Sequence, residues 1–142
     1  MRILGLDLGT KRIGVALSDA GGEFAFPNST LERKGLERDL AALCELCRER
    51  EVERVVVGLP IHMDGRVGPE AKAAQTFAGR LAEAAGLPVD TLDERWTTRE
   101  ANRSLRDAGV RGKKRKQHVD AVAAAIILRT YLQRLAGAGD PP

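Results

Sequence analysis

The sequence predicts an α/β protein with a mixed sheet flanked by helices, and two observations support this prediction. Apolar runs that can pair as a hairpin come first in the chain, and the later apolar runs are separated by amphipathic helices. The resulting element order is β-β-β-α-β-α-β-α-α. Hairpin strands pair antiparallel and strands separated by helices can pair parallel, so this order favours a mixed sheet with helices on its faces.

Length and composition are those of one soluble globular domain. The chain has 142 residues, of which 43% are hydrophobic and 30% are charged, and this length is enough to bury a real core. The longest apolar run, Ala121–Leu128, is too short to span a bilayer, and the N-terminus lacks a signal-peptide layout. We therefore expect a cytoplasmic protein without a membrane partner, with one domain at residues 1–136 and a flexible C-terminal tail at residues 137–142.

The first hairpin contains one residue that does not fit a strand. Two apolar runs, Ile3–Leu8 and Ile13–Leu17, flank a glycine-containing turn. Asp7 lies inside the first run, on the strand face that it shares with Ile3 and Gly5, where burying its charge is costly. A carboxylate in this position needs a partner such as a cation, unless it only caps the turn.

The middle of the chain alternates strands and helices. Phe24–Leu31 is predicted as a third strand, although Pro27 interrupts it, and the β-branched run at residues 55–59 is typical of a strand buried on both faces. Gly68-Pro69-Glu70 starts a helix, with proline at an early position, and Gly86 ends it. The remaining predicted elements are a helix at Leu36–Arg50, a strand at Val89–Leu92, a helix at residues 97–108 and a final helix at His118–Leu135.

Two cysteines, Cys44 and Cys47, lie three residues apart within the predicted helix Leu36–Arg50. This spacing could form half of a zinc site or a redox pair. A second ligand pair is missing, however, because His62 and His118 are isolated in the sequence. On a helix the cysteines continue an apolar stripe, so we expect them to pack in the core. The stripe also contains Leu36, Leu40 and Leu43.

Three acidic residues stand where a sheet would bring them together. Asp7 is near the end of the first strand, Glu94 follows the last strand, and Asp120 begins the final helix, where the helix dipole favours a negative charge. If strands one, four and five are parallel neighbours, Asp7 and Glu94 both reach the carboxyl edge of the sheet, where open sheets place their sites. Asp93 could replace Glu94, and Glu94 could instead pair with Arg95 or Arg99. Asp120 could be an N-terminal helix charge only.

An all-oxygen set of ligands without histidine or cysteine favours Mg²⁺ or Mn²⁺. Two such ions about 4 Å apart can activate a water and stabilise the leaving oxygen of a phosphodiester. In this interpretation Asp7 and Asp120 bind metal, while Glu94 binds or orients the second ion or the water. The expected catalytic and metal-binding residues are therefore Asp7, Glu94 and Asp120.

Positive charge is concentrated in one segment of the chain. The formal net charge is +3, but residues 95–116 carry +7 and the other residues carry −4. A basic surface beside an acidic metal site fits a nucleic-acid substrate, although its arginines could also form an ordinary solvated face. Val110–Gln117 is predicted to be a basic loop. The residues expected to hold backbone phosphates are Lys11, Arg12, Arg99, Arg103, Arg106, Arg111, Lys113, Lys114, Arg115 and Lys116.

Four motifs, at residues 7–16, 57–60, 93–98 and 120–128, resemble the ordered motifs of the YqgF/RuvX family. The resemblance covers nearly the whole chain. It implies an RNase H-like fold with a five-stranded mixed sheet. It also implies a nuclease that acts as a Holliday junction resolvase or on the 5′ end of pre-16S ribosomal RNA. Carried over to this sequence, Asp7, Glu94 and Asp120 become the acidic triad.

Other interpretations of these patterns remain open. The first motif, Asp-Leu-Gly-Thr, also resembles the phosphate loop of actin-like ATPases and sugar kinases, but those folds close a cleft between two domains and this chain supplies only one. A non-catalytic nucleic-acid-binding domain of the same fold is another alternative. The sequence does not separate RNA from DNA as the substrate. A junction resolvase would need a homodimer, since it cuts two strands symmetrically, whereas an RNA-trimming nuclease would not.

Overall fold

The computed structural model describes residues 1–97 and 112–139. Its strands are β1 (Ile3–Leu8), β2 (Arg12–Ser18), β3 (Ala25–Glu32), β4 (Arg54–Leu59) and β5 (Val89–Asp93). Its helices are α1 (Leu36–Glu49), α2 (Pro69–Ala85) and α3 (Gly112–Gly139), with a short 3₁₀ turn at Glu94–Trp96. Apart from Thr97, the helix predicted at residues 97–108 lies outside the described residues.

The five strands form one sheet in the order β3-β2-β1-β4-β5. The β1–β2 and β2–β3 pairs are antiparallel, and the β1–β4 and β4–β5 pairs are parallel, which confirms the predicted mixed sheet. Pro27 is tolerated because β3 is an edge strand. The register of β3 also skips Asn28 opposite the Val15–Ala16 step of β2, so the strand is irregular next to the proline.

The helices cover both faces of the sheet. Helices α1 and α2 pack on one face, where Leu43 and Leu81 join the apolar side chains of β1, β2 and β4. Helix α3 packs on the other face, where Leu128 contacts a cluster that includes Ile3 and Val56. The side chains of β4 from residue 55 to 59 are buried on both faces, as the β-branched run predicts.

Helix α2 begins within the predicted start, residues 68–70, and ends before Gly86 as predicted. Pro69 stands at its first position, where a missing N–H leaves no hydrogen bond unmade. Gly86 follows its last residue in a left-handed conformation, with a φ of 67°, and donates its N–H to the Ala82 carbonyl at 2.9 Å. Helix α1 begins as predicted and ends at Glu49, one residue early.

The predicted start of the last helix is wrong. Helix α3 begins at Gly112 rather than at His118, so residues 112–117 of the predicted basic loop are helical. Lysine and arginine are good helix formers, and after Gly112 the segment contains no residue that would stop a helix. Asp120 therefore lies in the third turn of α3, too far from its N-terminus for the helix dipole to act on it.

At its other end, α3 reaches Gly139, so residues 137–139 of the predicted flexible tail are helical. The rest of that tail lies outside the described residues, and the boundary of the domain at residue 136 stays a prediction. Within the described ranges, no helix combines the length and the apolar character needed to cross a bilayer.

Cys44 and Cys47 are free thiols buried in the core between α1, α2 and the sheet. Leu40 and Leu43 are buried with them, whereas Leu36, which the sequence places on the same stripe, is 38% exposed at the first position of α1. Among the described residues, no three His, Cys, Asp or Glu side chains are grouped as a metal site. These observations support a packing role for both cysteines.

Replacing both cysteines with alanine is expected to lower the free energy of unfolding by about 1–3 kcal/mol, because two small cavities are left in a packed core. Urea denaturation of the wild type and the double variant measures this difference. Metal analysis of the same preparations tests the alternative. Stoichiometric zinc in the wild type that is absent from the double variant would show that the thiols bind an ion, which would contradict the packing role.

Candidate active site

Asp7 lies near the carboxyl end of β1, directly opposite Gly14 of β2. Successive residues of a strand point to opposite faces, so Asp7 shares a face with Gly5 and Ile3. Ile3 packs against α3, and this identifies the face of Asp7 as the one that α3 covers. The strand face assigned to Asp7 from the sequence is therefore the face of the candidate site.

Helix α3 can approach the sheet closely because two strand residues lack side chains. A Cβ atom built on Gly14 would lie 2.0 Å from the backbone oxygen of Asp120, and one built on Gly5 would lie 2.8 Å from the Cβ of Leu128. Glycine in a strand often marks such a close approach. The approach brings Asp120 over the β1–β2 pair, next to Asp7. These strand glycines are the signal that sequence reasoning missed.

Glu94 reaches the same edge from β5. Leu59 of β4 pairs with Asp93 of β5, so both strands end together and Glu94 follows immediately. A Cβ atom on Gly58 would lie 3.0 Å from both Cγ and Cδ of Glu94. The Glu94 side chain therefore extends over β4, the neighbour of β1, as the parallel arrangement predicts.

The acids influence one another electrostatically. Burial, and to a lesser extent the charge of Asp120, raises the pKa of Asp7 from 3.8 to about 6. Burial, followed by the charges of Asp7 and Asp93, raises the pKa of Glu94 from 4.5 to about 7. Asp7 thus interacts electrostatically with Asp120 of α3 and with Glu94 in the 3₁₀ turn after β5.

Asp93 has a different role from Glu94. Its Oδ2 accepts hydrogen bonds from the Arg95 guanidinium at 2.6 and 2.9 Å, and its Oδ1 accepts the Arg95 backbone N–H at 2.9 Å. The side-chain bonds from Arg95 lower the pKa of Asp93. Arg95 therefore binds Asp93, and this pairing favours Glu94 over Asp93 as the second acid of the site.

Arg12 forms an ion pair with Asp120. Its Nε donates to the Asp120 Oδ2 at 3.1 Å, its Nη1 lies 4.0 Å from the Glu32 Oε1, and its side chain is only 18% exposed. Arg12 is one of the residues predicted to contact substrate phosphates, which stays a prediction, and its guanidinium balances the carboxylate of Asp120. Lys11, the other cation of the turn, is exposed beside it.

The remaining predicted phosphate contacts fall into two groups. Lys113, Lys114, Arg115 and Lys116 lie in the first two turns of α3, and Lys116 is one turn before Asp120. The other predicted contacts, which lie outside the described residues, are Arg99, Arg103, Arg106 and Arg111.

The ligands at this edge suit a hard divalent cation, because they are all carboxylates. Within the described residues no cation contacts the Asp7 side chain, and its raised pKa shows that its charge is poorly stabilised. A nearby cation would lower that pKa. Among the described side chains, no three potential ligands are grouped around one point. The fit of this edge to a divalent cation therefore rests on the carboxylate chemistry and on the burial of Asp7 and Glu94.

Comparison with protein families gives one match over most of the chain. The model of the RuvX family, described as Holliday junction resolvase, matches residues 1–134. A protein of Moorella thermoacetica is 52% identical over 135 residues, which cover 95% of this chain and 96% of the relative. A protein of Syntrophomonas wolfei is 51% identical over 132 residues, covering 93% and 94%. Both relatives are named "Putative pre-16S rRNA nuclease".

Solved structures show the same fold at much lower identity. RuvC of T. thermophilus, solved in complex with a Holliday junction substrate, superposes with a TM-score of 0.64 at 17% identity, covering all of this chain and 99% of that chain. The fowlpox virus Holliday junction resolvase superposes with a TM-score of 0.57 at 14% identity, covering 94% and 99%. These similarities confirm the RNase H-like α/β fold.

Proposed function

Because the chain belongs to the RuvX family, we propose that it is a divalent-metal-dependent nuclease that processes the 5′ end of pre-16S ribosomal RNA. The observation that supports the chemistry is the approach of Asp120, over Gly14, and of Glu94, over Gly58, towards Asp7 at the carboxyl edge of the sheet. Burial raises the pKa values of Asp7 and Glu94. The RNA substrate is proposed from the names of two relatives that share about half of their residues with this chain. The proposal keeps the cytoplasmic location expected from the sequence.

Each acid has a proposed role. Asp7 and Asp120 would hold Mg²⁺ or Mn²⁺, and Glu94 would bind or orient a second ion or the attacking water. When bound, such ions supply an activated water and stabilise the leaving oxygen of the phosphodiester. Arg12 fixes the Asp120 carboxylate through its 3.1 Å hydrogen bond, and Gly58 leaves space over β4 for the side chains of Glu94 and Ile127.

Substrate phosphates are proposed to lie along the cations around this edge. Lys11 is exposed in the β1–β2 turn, three residues after the end of β1 and four after Asp7. The N-terminal turns of α3 add a dense group of cations one to two turns before Asp120. Such contacts would position the backbone without reading its sequence. The proposed contacts in α3 are Lys113, Lys114, Arg115 and Lys116, with Arg99, Arg103, Arg106 and Arg111 in the preceding segment.

Holliday junction resolution is the second candidate function. The description of the family model favours it, and the same acids would perform the same hydrolysis on DNA. This function requires two active sites that cut opposed strands of one junction, so it adds the requirement for a homodimer. The two candidates therefore share a mechanism and differ in substrate and assembly.

A panel of substrates separates these functions. The panel contains an RNA with a 5′ leader joined to a structured region, single-stranded RNA, single-stranded DNA and a four-way DNA junction, each with Mg²⁺, Mn²⁺ or EDTA. We expect metal-dependent cleavage of the leader RNA. Glu94→Gln should reduce the rate about 100-fold or more, as loss of a group that orients or activates the water does. Asp93→Asn is the matched control and should retain activity, because Asp93 pairs with Arg95.

Any other result from the panel would contradict the proposed substrate, the proposed catalysis or the proposed roles of the acids. Symmetric paired cuts in the junction, made by a dimer, would identify the protein as a resolvase. Binding without metal-dependent cleavage of any substrate would identify a non-catalytic nucleic-acid-binding domain. Loss of activity in Asp93→Asn but not in Glu94→Gln would exchange the roles of the two acids.

A further inference from the structure

The loop at residues 60–68, between β4 and α2, presents an unusually exposed apolar side chain. Met63 is 76% exposed, more than any other large hydrophobic residue in the described part of the chain. Leaving a methionine side chain in water forgoes the favourable free energy of burying its apolar surface. A scattered exposed apolar residue needs no explanation by itself. Met63 differs from such a residue because its loop is held by internal hydrogen bonds and lies beside the candidate active site.

The loop is closed by its own hydrogen bonds. The His62 N–H donates to the Arg66 carbonyl at 3.0 Å, and the Gly65 N–H donates to the His62 carbonyl at 2.8 Å. Asp64 accepts the Arg66 backbone N–H at 3.0 Å, and its other oxygen lies 2.7 Å from the Arg66 Nε. Met63 therefore lies at the tip of a tight turn whose backbone is fixed on both sides.

Glycines make this turn possible. Gly65 has a φ of 91°, which other residues rarely adopt. A Cβ atom on Gly68 would lie 2.6 Å from the His62 Nε2, so the imidazole can pack directly on the chain that enters α2. A loop fixed in this way loses little further entropy when it contacts a ligand.

The loop lies beside the candidate active site. It follows β4, whose last residue, Leu59, pairs with Asp93 at the end of β5. A Cβ atom on Gly65 would lie 3.5 Å from the Arg95 Nη1, so the loop lies close to the side chain of the residue that follows Glu94. An exposed apolar side chain on a rigid turn is thus placed at the border of the edge where cleavage is proposed.

We propose that Met63 packs against or between the bases of the bound nucleic acid next to the scissile phosphate, and so fixes the position of the cleaved strand. This inference rests on the proposed function and adds a positioning residue to it. Apolar side chains, methionine among them, are used by nucleic-acid-binding proteins to separate neighbouring bases. The thioether is polarisable and makes favourable contacts with aromatic rings.

The test measures base stacking rather than cleavage. Single-stranded RNA and DNA oligonucleotides carrying 2-aminopurine at successive positions along their length are mixed with Asp7→Asn protein, which we expect to bind without cutting. We expect 2-aminopurine fluorescence to rise at one or two adjacent positions, because stacking quenches it. In the Asp7→Asn background, Met63→Ala should remove this rise and weaken binding by about two- to tenfold, the range given by sulfur–aromatic contact energies.

Two further variants make the test specific. Met63→Leu keeps an apolar side chain of similar size and should restore most of the fluorescence change. Leu36→Ala removes a side chain that is 38% exposed at the start of α1, a helix on the face of the sheet opposite α3. This variant should change neither the fluorescence nor the affinity. Unchanged fluorescence and affinity in Met63→Ala would overturn the inference. So would an effect of Met63→Ala on self-association alone, since the side chain would then serve a protein contact.

Failure of this inference is distinguishable from failure of the proposed function. Fluorescence changes that depend on Met63, without metal-dependent cleavage by the protein with native Asp7, would support the base contact and refute the nuclease. Metal-dependent cleavage that is the same with Met63 and with Met63→Ala, with no fluorescence change, would support the nuclease and refute the base contact. Absence of nucleic-acid binding altogether would refute both.

Discussion

Asp7→Asn is expected to abolish metal-dependent cleavage and, at neutral pH without metal, to make the protein more stable. Asparagine keeps the size of the side chain but removes the negative charge that the proposed ion requires. Removing an outer-sphere partner of a metal ligand typically costs about 10–100-fold in affinity or activity, so loss of a ligand should exceed 100-fold. Nucleic-acid affinity should change little, because Asp7 is not among the proposed phosphate contacts.

The gain in stability follows from the raised pKa of Asp7. Its pKa in the folded protein is about 6, against 3.8 for the ordinary carboxyl, so folding favours the protonated form. The stabilisation present below pH 4 is therefore lost as the pH rises through 6, and the loss amounts to about 2–3 kcal/mol above that pH. Asparagine cannot ionise, so the variant avoids this loss.

Urea denaturation in EDTA at pH 4.5, 6 and 7.5 measures the effect. The stability difference between Asp7→Asn and the wild type should be largest at pH 7.5 and should shrink towards pH 4.5. Added Mg²⁺ should stabilise the wild type and Asp93→Asn but not Asp7→Asn. Full cleavage by Asp7→Asn, or a variant less stable than the wild type at pH 7.5, would show that Asp7 is not a buried, poorly compensated ligand.

The positions of Asp7 and Glu94, which the strands determine, could be predicted from the sequence because side chains alternate between the two faces of a strand. The period of two assigned Asp7 to the face of Gly5, and the parallel pairing of β4 with both neighbours brought Glu94 to the edge where β1 ends. Both steps need only the order of the strands and the direction in which each runs. The continuous β-branched composition of residues 55–59 separately identified a strand buried on both faces.

The helix side could not be predicted in the same way. The basic composition of residues 112–117 was interpreted as a loop, although lysine and arginine are good helix formers, and Asp120 was therefore placed at a helix start. Its actual position depends on the distance between α3 and the sheet, which Gly14 permits. The Arg12–Asp120 ion pair joins residues 108 positions apart, and no local pattern reports such a contact.

Gly14→Ala is expected to have the second-largest effect, because it removes the space that brings Asp120 to Asp7. The added methyl carbon would lie 2.0 Å from the Asp120 backbone oxygen, a distance at which α3 or β2 must move. Overpacking of this kind typically destabilises by 1–3 kcal/mol, at times more, so we expect a loss of about 3 kcal/mol. A displacement of about 1 Å at a catalytic group can also reduce the rate about 100-fold.

Gly79→Ala is the matched control. Gly79 lies in α2, and a Cβ atom there meets nothing within 4 Å, so alanine should raise stability by about 0.8–1 kcal/mol through helix propensity alone. The same substitution should therefore lower the free energy of unfolding at Gly14 and raise it at Gly79. Only Gly14→Ala should reduce cleavage. Urea denaturation and initial rates on the leader RNA measure both effects. A Gly14→Ala protein with the stability and activity of the wild type would show that α3 does not depend on this close approach to position Asp120.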